Sequence, residues 1–406
     1  MKSCGVVVEY NPFHNGHLYH IQEAKNVSDA DVIIAVMSGN FLQRGEPAII
    51  DKFHRTKAAL SSGVDLVLEL PYAYAVQHSD YFAKGAVNIL RAIGVQSICF
   101  GSESGDAELF KTAYRKYKEN KHTYEHELKN SLERGLSFPE ASSHAYEKIG
   151  LTDHALDLSQ PNNILGFGYV KAILENDVPL EIYTIKRLKN AFHDQEISGS
   201  IASATSIRKE LIKYDEMTPD VQRAIPDSTY EQLLTYKRKT GIWHDWELYF
   251  PFVHYRVQTM TYEELQNIHG MVEGLEYRLK QTAKTVESME EWMDAMKTKR
   301  YTRTRIQRLF THILTNTKKE QMENFLTRLN TIPYIRILGM NRTGQNYLNQ
   351  TKKNIDVPLI SGMKRDMHPL FQMEERASLA YYSVLMPKIR KVMAAQELTP
   401  PLRLIE

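Results

Sequence analysis

The sequence predicts an α/β fold in its first half, a parallel sheet covered by helices on both faces, followed by a mainly helical C-terminal domain. Two observations carry this expectation. From residue 1 to about 215, short and continuously apolar runs alternate with helix-like segments. Such runs lack the polar alternation of a half-exposed strand, so they suit strands buried on both faces. Beyond about Tyr214 that alternation stops and long, charged, helical patterns take over.

The elements follow in order. Cys4 to Val8 is the first strand, leading into the turn-forming Asn11-Pro12 and a helix-like segment from Gly16 to Lys25. Asp31 to Met37 is the second strand, broken by Ser38-Gly39-Asn40, and Phe53 to Leu60 is helical. Leu66 to Leu70 is closed by Pro71; Tyr81 to Ile93 is helical, and Val95 to Phe100 is a strand ending at Gly101. Right-handed crossovers then give a Rossmann-like layered fold. Asp106 to Glu147 is charged and helix-prone, a helical insertion over about 106–148. Leu180 to Ile185 is the last strand of the sheet, and Ser203 to Ile212 a helix with a Ser/Thr-rich start. A boundary near 215 separates residues 1–215 from 216–406, where a short α/β return appears near Pro333 to Leu338 and Pro358 to Ser361.

Composition narrows the function classes. The 51 Lys+Arg and 49 Asp+Glu leave a net charge of +2, so a nucleic-acid partner needs a local basic patch. Cys4 and Cys99 lie in apolar runs and read as inert core residues rather than a disulfide or metal site. The N-terminus lacks a signal-peptide pattern, and no apolar run is long enough to span a bilayer. The expectation is a cytoplasmic protein without a membrane partner.

The chemistry is concentrated in Glu9-Tyr10-Asn11-Pro12-Phe13-His14-Asn15-Gly16-His17, directly after the first strand. Glycine lets phosphates approach the backbone closely, and a helix N-terminus offers unpaired N–H groups. Two imidazoles one turn apart, His14 and His17, can donate to phosphate oxygens while charge builds on them. His20 continues the series, in surroundings that suit a packing or supporting role. A zinc site is a poorer explanation, because His14 and His17 lack an obvious further cysteine or carboxylate ligand nearby. A second cluster is Ser203-Ala204-Thr205-Ser206-Ile207-Arg208. Ser203, Thr205 and Ser206 can cap a helix, whereas Arg208 in its first turn opposes the helix dipole unless an anion sits there. Gly101 and Lys186-Arg187 follow strands, where such folds build nucleotide pockets, and Asn162-Asn163 opens a helix as either a cap or a ligand.

Together these residues resemble the HxGH nucleotidyltransferase superfamily and, more narrowly, the bacterial tRNA(Met) cytidine acetate ligase family. The resemblance rests on Val6 to His17, Met37-Ser38-Gly39-Asn40-Phe41, Gln43-Arg44-Gly45-Glu46-Pro47-Ala48, Glu69-Leu70-Pro71, Ser159 to Leu165 and Ser203 to Arg208, continuing into Lys299-Arg300-Tyr301-Thr302. It implies that acetate attacks ATP to give acetyl-adenylate, and that the acetyl group passes to N4 of the wobble cytidine of elongator tRNA(Met). It implies an ATP site lined by Val7, Val8, Glu9, Tyr10, Asn11, Pro12, Phe13, His14, Asn15, Gly16, His17 and His20, with Gly101, Asn162 and Arg187. His14, His17 and Arg208 are the expected catalytic residues, and Mg²⁺ is expected to accompany ATP, held by phosphates and waters. The second substrate is expected from loops carrying Ser38, Gly39, Asn40, Gln43, Arg44 and Lys52.

The densest basic segment runs from Lys297 to Arg308 and includes Lys299, Arg300, Arg303 and Arg305, interrupted by Tyr301. Phosphate contacts with a stacking ring suit a tRNA arm, although Glu287, Glu290, Glu291 and Asp294 can neutralise part of the charge. Lys352-Lys353 and Lys364-Arg365 are weaker candidates. Two other functions use the same fold: a cofactor-biosynthesis adenylyltransferase, and a non-catalytic RNA-binding factor. The large C-terminal part disfavours the first, and the intact His14, Gly16, His17 and Arg208 disfavour the second.

Overall fold

Five of the apolar runs become parallel strands. They are β1 (Ser3–Val8), β2 (Val32–Ser38), β3 (Leu66–Leu70), β4 (Ser97–Ser102) and β5 (Glu181–Lys186). The protein is described by a computed structural model over residues 1–152, 156–187, 202–272, 274–327, 332–363 and 368–404. Lys364 and Arg365 lie outside the described residues. Every residue of β2 and β3 is buried, as strands covered on both faces require.

The strand order is β5-β4-β1-β2-β3 and onward into strands from the second half. From β1 the chain builds outward through β2 and β3, then returns to the other side of β1 with β4 and β5. That reversal places a crevice at the carboxyl ends of β1 and β4. The helices between these strands are α1 (Asn15–Ser28), α2 (Lys52–Ser61), α3 (Tyr72–Ala75) and α4 (Ser79–Ile93). The charged stretch before β5 forms α5 (Ala107–Glu119), α6 (Lys121–Glu133) and α7 (Phe138–Lys148), followed by α8 (Pro161–Glu175). After β5 comes α9 (Ala204–Tyr214).

The helices of residues 219–326 follow, and the chain then comes back to the same sheet. β6 (Ile335–Asn341) lies antiparallel to β3, while β7 (Leu359–Ile360) and β8 (Leu402–Leu404) pair parallel with β6. The α/β return expected near 333–338 and 358–361 is therefore an extension of the first sheet. Without it β3 would be a bare edge. The apolar cores interlock in the same way: Phe41, Ile49, Ile50 and Tyr72 pack in one cluster with Leu233, Trp292, Phe310 and Tyr381. Among the described residues no helix is long and apolar enough to cross a membrane.

Candidate active site

Two histidines build the start of α1. His14 is the N-cap, and its Nδ1 accepts from the Gly16 N–H at 3.1 Å. The His17 Nδ1 accepts from the His14 N–H at 3.3 Å, closing a reciprocal cap that Ser and Glu more often make. An imidazole whose Nδ1 accepts a backbone N–H carries its proton on Nε2. The rings stack with centroids 3.8 Å apart. Burial, then the charges of Arg187 and Arg208, pushes His14 down to about 3; burial, with His14 and Arg187 near, pushes His17 well below the ordinary imidazole range. Both rings are thus neutral donors at physiological pH.

Their surroundings are rigid. Tyr10 is buried at a positive φ of 49°, and its ring lies 4.6 Å from Phe13 and 5.0 Å from His17, centroid to centroid. Asn11 Oδ1 accepts from the Ile49 N–H at 2.8 Å, and Asn15 Nδ2 donates to the Arg223 carbonyl at 2.9 Å. His20 is pushed down to about 4, by burial first and Arg187 second, and its Nε2 is buried without a hydrogen-bond partner in this structure.

Across the crevice, Arg187 Nη1 donates to Asn162 Oδ1 at 2.9 Å. Asn162 Nδ2 and the Asn163 N–H donate to the two oxygens of Glu103 at 2.7 Å each, so this carboxylate caps α8. A Cβ on Gly101 would lie 3.3 Å from Arg187 Cγ, which explains glycine there. Ser203 caps α9 by accepting from the Ser206 N–H at 3.0 Å, and the Ser206 hydroxyl turns back to the Ser203 carbonyl. Arg208 donates to the Asn11 carbonyl at 2.8 Å and to Glu46 Oε2 at 3.1 Å. It thereby ties α9 to the loop after β1 and to the loop after β2.

These groups wall one cavity of about 1160 Å³. Val7, Val8, Glu9, Tyr10, Asn11, His14, Gly16, His17 and His20 line it, as do Gly101, Asn162, Arg187, Ser203, Thr205 and Arg208. Pro12, Phe13, Asn15 and Ser206 stand behind the wall rather than in it. Pro12, Phe13 and Ser206 are buried, and Asn15 is tied to Arg223. Glu103 belongs to the Gly101-Ser102-Glu103 loop that the sequence places at the end of a strand, and Glu46 to the Gln43–Ala48 block of the resemblance, but neither carries a role there. Here Glu103 holds Asn162 and Asn163, and Glu46 holds Arg208.

The expected second-substrate loop divides. Gln43 and Arg44 line the cavity, and the Gln43 N–H donates to Glu9 Oε1 at 2.7 Å. Ser38, Gly39, Asn40 and Lys52 do not line it, which corrects their expected place. Lys52 is 1% exposed, with Nζ 2.6 Å from Glu69 Oε1 and 2.9 Å from Glu397 Oε1. Arg336 bridges the same two carboxylates at 2.9 and 2.6 Å. Asn40 Oδ1 accepts from the Lys52 N–H at 2.9 Å, and Arg55 donates to the carbonyls of Ser38 and Gly39. A Cβ on Gly39 would meet Glu69 Oε1 at 2.8 Å. Residues from the end of the chain close over this region.

The basic segment also divides. Arg303 pairs with Glu290 and lies 3.8 Å from Asp294, so its charge is compensated as the acidic neighbours suggested. Arg300 and Arg305 lie over the Tyr301 ring at 6.0 and 4.9 Å and line the cavity. Arg308, from the helix Arg303–Leu314, points inward: its Nη1 lies 3.4 Å from the carbonyls of Gln43 and Gln77. Lys297 and Lys299 do not line the cavity; Lys297 ends the helix Met289–Met296. Lys352 and Lys353 form an exposed turn away from it.

Comparison with known proteins agrees with this geometry. Residues 1–397 match the HIGH Nucleotidyl Transferase family. A protein of Oceanobacillus iheyensis named tRNA(Met) cytidine acetate ligase is 58% identical over 402 residues, 99% of this chain and 100% of its own. The Bacillus subtilis protein of the same name is 45% identical over 400 residues, 98% of this chain and 96% of its own. Thermotoga maritima TmcAL superposes with a TM-score of 0.91 at 34% identity, covering all of both chains. A second structure of it, bound with alpha-thio ATP, gives 0.89 and covers 99% of this chain and 100% of its own.

Proposed function

The chain belongs to the tRNA(Met) cytidine acetate ligase family of HIGH nucleotidyltransferases, and on that premise we propose that it joins acetate, through acetyl-adenylate, to N4 of the wobble cytidine of elongator tRNA(Met). The observation that carries the reading is the pair of neutral, Nδ1-locked histidines, His14 and His17, in the wall of a cavity large enough for ATP.

A free carboxylate is a poor acyl donor, and the cytosine amine is a weak nucleophile because its lone pair is delocalised into the ring. The reaction therefore needs an anhydride. An acetate oxygen attacks the α-phosphorus, the bond to the β-phosphate bridge breaks, and pyrophosphate leaves. N4 then attacks the acetyl carbon, the bond to AMP breaks, and N4 gives up a proton. His14 and His17 donate to phosphate oxygens as negative charge grows on them, and Arg187 and Arg208 add positive charge on either side. Neutral imidazoles suit this role because their hydrogen bonds are fixed before charge develops. Asn162, held by Glu103, belongs to the adenosine side.

Mg²⁺ would supply charge neutralisation on the triphosphate, held mainly by the phosphates and water. Glu9 and Glu46 are carboxylates that line the same cavity as the histidine cap. Residues 1–215 carry the nucleotide end in this reading, and residues 216–406 the tRNA surface, with Lys297, Lys299, Arg300 and Arg305 as its basic edge. The setting is the cytoplasm. The test is pyrophosphate release with ATP and acetate, with and without tRNA. Acetate-dependent release, followed by acetylated tRNA, is expected. Release that requires a phosphorylated small molecule and leaves AMP in a stable product would replace the ligase with an adenylyltransferase.

A further inference from the structure

The lining of the same cavity also includes Gln77, His78, His269, Arg305, Arg308 and Lys319, contributed by the α3–α4 junction and by the region 269–319. A hydrogen-bond chain joins this part of the wall to Glu9 of the nucleotide end. Glu9 accepts from Gln43, Gln43 Nε2 donates to the Gln77 carbonyl at 2.7 Å, and Gln77 Nε2 lies 3.0 Å from His269 Nε2.

Two properties of this part of the wall suit a ligand. It carries cations: Arg305 and Arg308, one turn apart on one helix, line it with Lys319, beside Asp80 and Glu323. Gly45 permits the fit. With φ at +86° it lies so close to that helix that a Cβ would meet the Arg308 nitrogen at 2.5 Å, and its carbonyl accepts from Thr311 Oγ1 at 2.6 Å. His269 is pushed down to about 4, by burial first and then by Lys319 and Arg308. The second property is an aromatic wall with an idle polar atom. The His78 ring lies 4.5 Å from Tyr81 and 5.6 Å from Phe138, centroid to centroid, and its buried Nδ1 has no hydrogen-bond partner in this structure.

We propose that this part of the cavity receives the acceptor nucleotide itself, with its base against the His78–Phe138 wall and a flanking phosphate on Arg305 and Arg308. The inference rests on the ligase reading above, moves Arg305 from its outer edge inward and adds His78, Phe138 and Arg308 to it. An enzyme acting on the edge of a base must take that base out of its stack, and single-stranded bases are held by aromatic stacking and by cations on the backbone. Arg308 is then an inner phosphate clamp next to the reacting base, and only Arg300, Lys297 and Lys299 remain as outer contacts.

The test compares wild type with Arg308→Gln and Arg305→Gln, using cytidine 3′,5′-bisphosphate as the probe. In the wild type the bisphosphate should compete with tRNA, at least about tenfold better than unphosphorylated cytidine, and should leave acetate-dependent pyrophosphate exchange uninhibited. In Arg308→Gln the ratio of acetyl transfer to exchange should fall about 10- to 100-fold, the scale of one lost charge-assisted hydrogen bond, and the preference for the bisphosphate should vanish. Arg305→Gln should shift both in the same direction by less. Thermal melting establishes that both variants fold. A folded Arg308→Gln with the wild-type ratio, or a bisphosphate that competes with ATP, overturns the assignment. Wild-type enzyme with no acetate-dependent exchange would instead overturn the ligase reading, and this assignment with it.

Discussion

The carboxyl ends of β1 and β2 look alike in sequence and behave in opposite ways. Each strand ends in a short polar stretch that leads toward a helix: Glu9 to His17 after β1, and Ser38 to Lys52 after β2. After β1 the polar groups open on the cavity. After β2, Lys52 and Asn40 are sealed by Glu397, Arg336 and Ser378, which arrive from the far end of the chain. A polar loop at a strand terminus is therefore a site only when nothing else satisfies it. Here polar groups after a strand line the cavity in one place and hold the two halves of the chain together in the other.

The sharpest way to break this comparison is to remove Lys52. If it is interior scaffolding, Lys52→Met leaves Glu69 and Glu397 facing each other across Arg336 alone. Breaking a buried pair by deleting one partner commonly costs about 3–5 kcal/mol. Denaturant unfolding should show a loss on that scale, with the KM for ATP and acetate unchanged in the folded fraction. An unaltered midpoint with a raised substrate KM would return Lys52 to the active site.

A pH series sharpens the other side. His14 at about 3 and His20 and His269 at about 4 lie below the unfolded value near 6.5. Their folded values are depressed because burial favours the neutral ring. The associated stability is present above pH 6.5 and is lost as pH falls from there toward 4 and then 3. Each ring contributes a slope of up to about 1.4 kcal/mol per pH unit in that window. Urea unfolding at pH 7, 6 and 5 should show a progressive loss, while adenylation shows no imidazole titration between pH 6 and 8. A catalytic limb near pH 6.5 that disappears in His14→Asn would mean the ring works by changing its charge.

The smallest expected effects lie in the basic segment. Lys299→Gln and Arg300→Gln should each lower the log–log salt slope of tRNA binding by about 0.7–0.9. Arg303→Gln should change it far less, because Glu290 and Asp294 already neutralise that guanidinium. Equal losses at all three positions would show that tRNA displaces the acidic partners.

What was legible in the sequence was local. The His-x-Gly-His cap, the Ser203 cap and the strand runs depend on residues within a few positions of one another, so the sequence displays them directly. Arg305 and Arg308, three apart on one helix, could have been separated from Arg303 by helical phase. The Gly101-Ser102-Glu103 loop was legible as a strand-end loop, but the capping of α8 by Glu103 was not, because Asn162 and Asn163 lie about 60 residues on. Arg55 and Glu69, which hold Ser38, Gly39 and part of Lys52, lie within 17 residues of them, but no pattern marks the pairing. The sealing of Asn40 by Ser378 and of Lys52 by Glu397 was not legible, because those partners come from the far end of the chain. The pairing of β6 with β3 and the place of His269 in the cavity wall have the same long-range origin. No short pattern marks any of them.

The central claim is that His14 acts as a fixed, neutral hydrogen-bond donor to the phosphates of ATP. His14→Asn tests it most directly, because asparagine caps a helix as well as histidine does here but cannot place the Nε2 donor. Acetate-dependent pyrophosphate exchange should fall about 100- to 1000-fold, the usual loss for one donor to developing charge, while the melting temperature and ATP affinity stay near wild type. Wild-type exchange in that variant would show that His14 only caps α1 and would contradict the account.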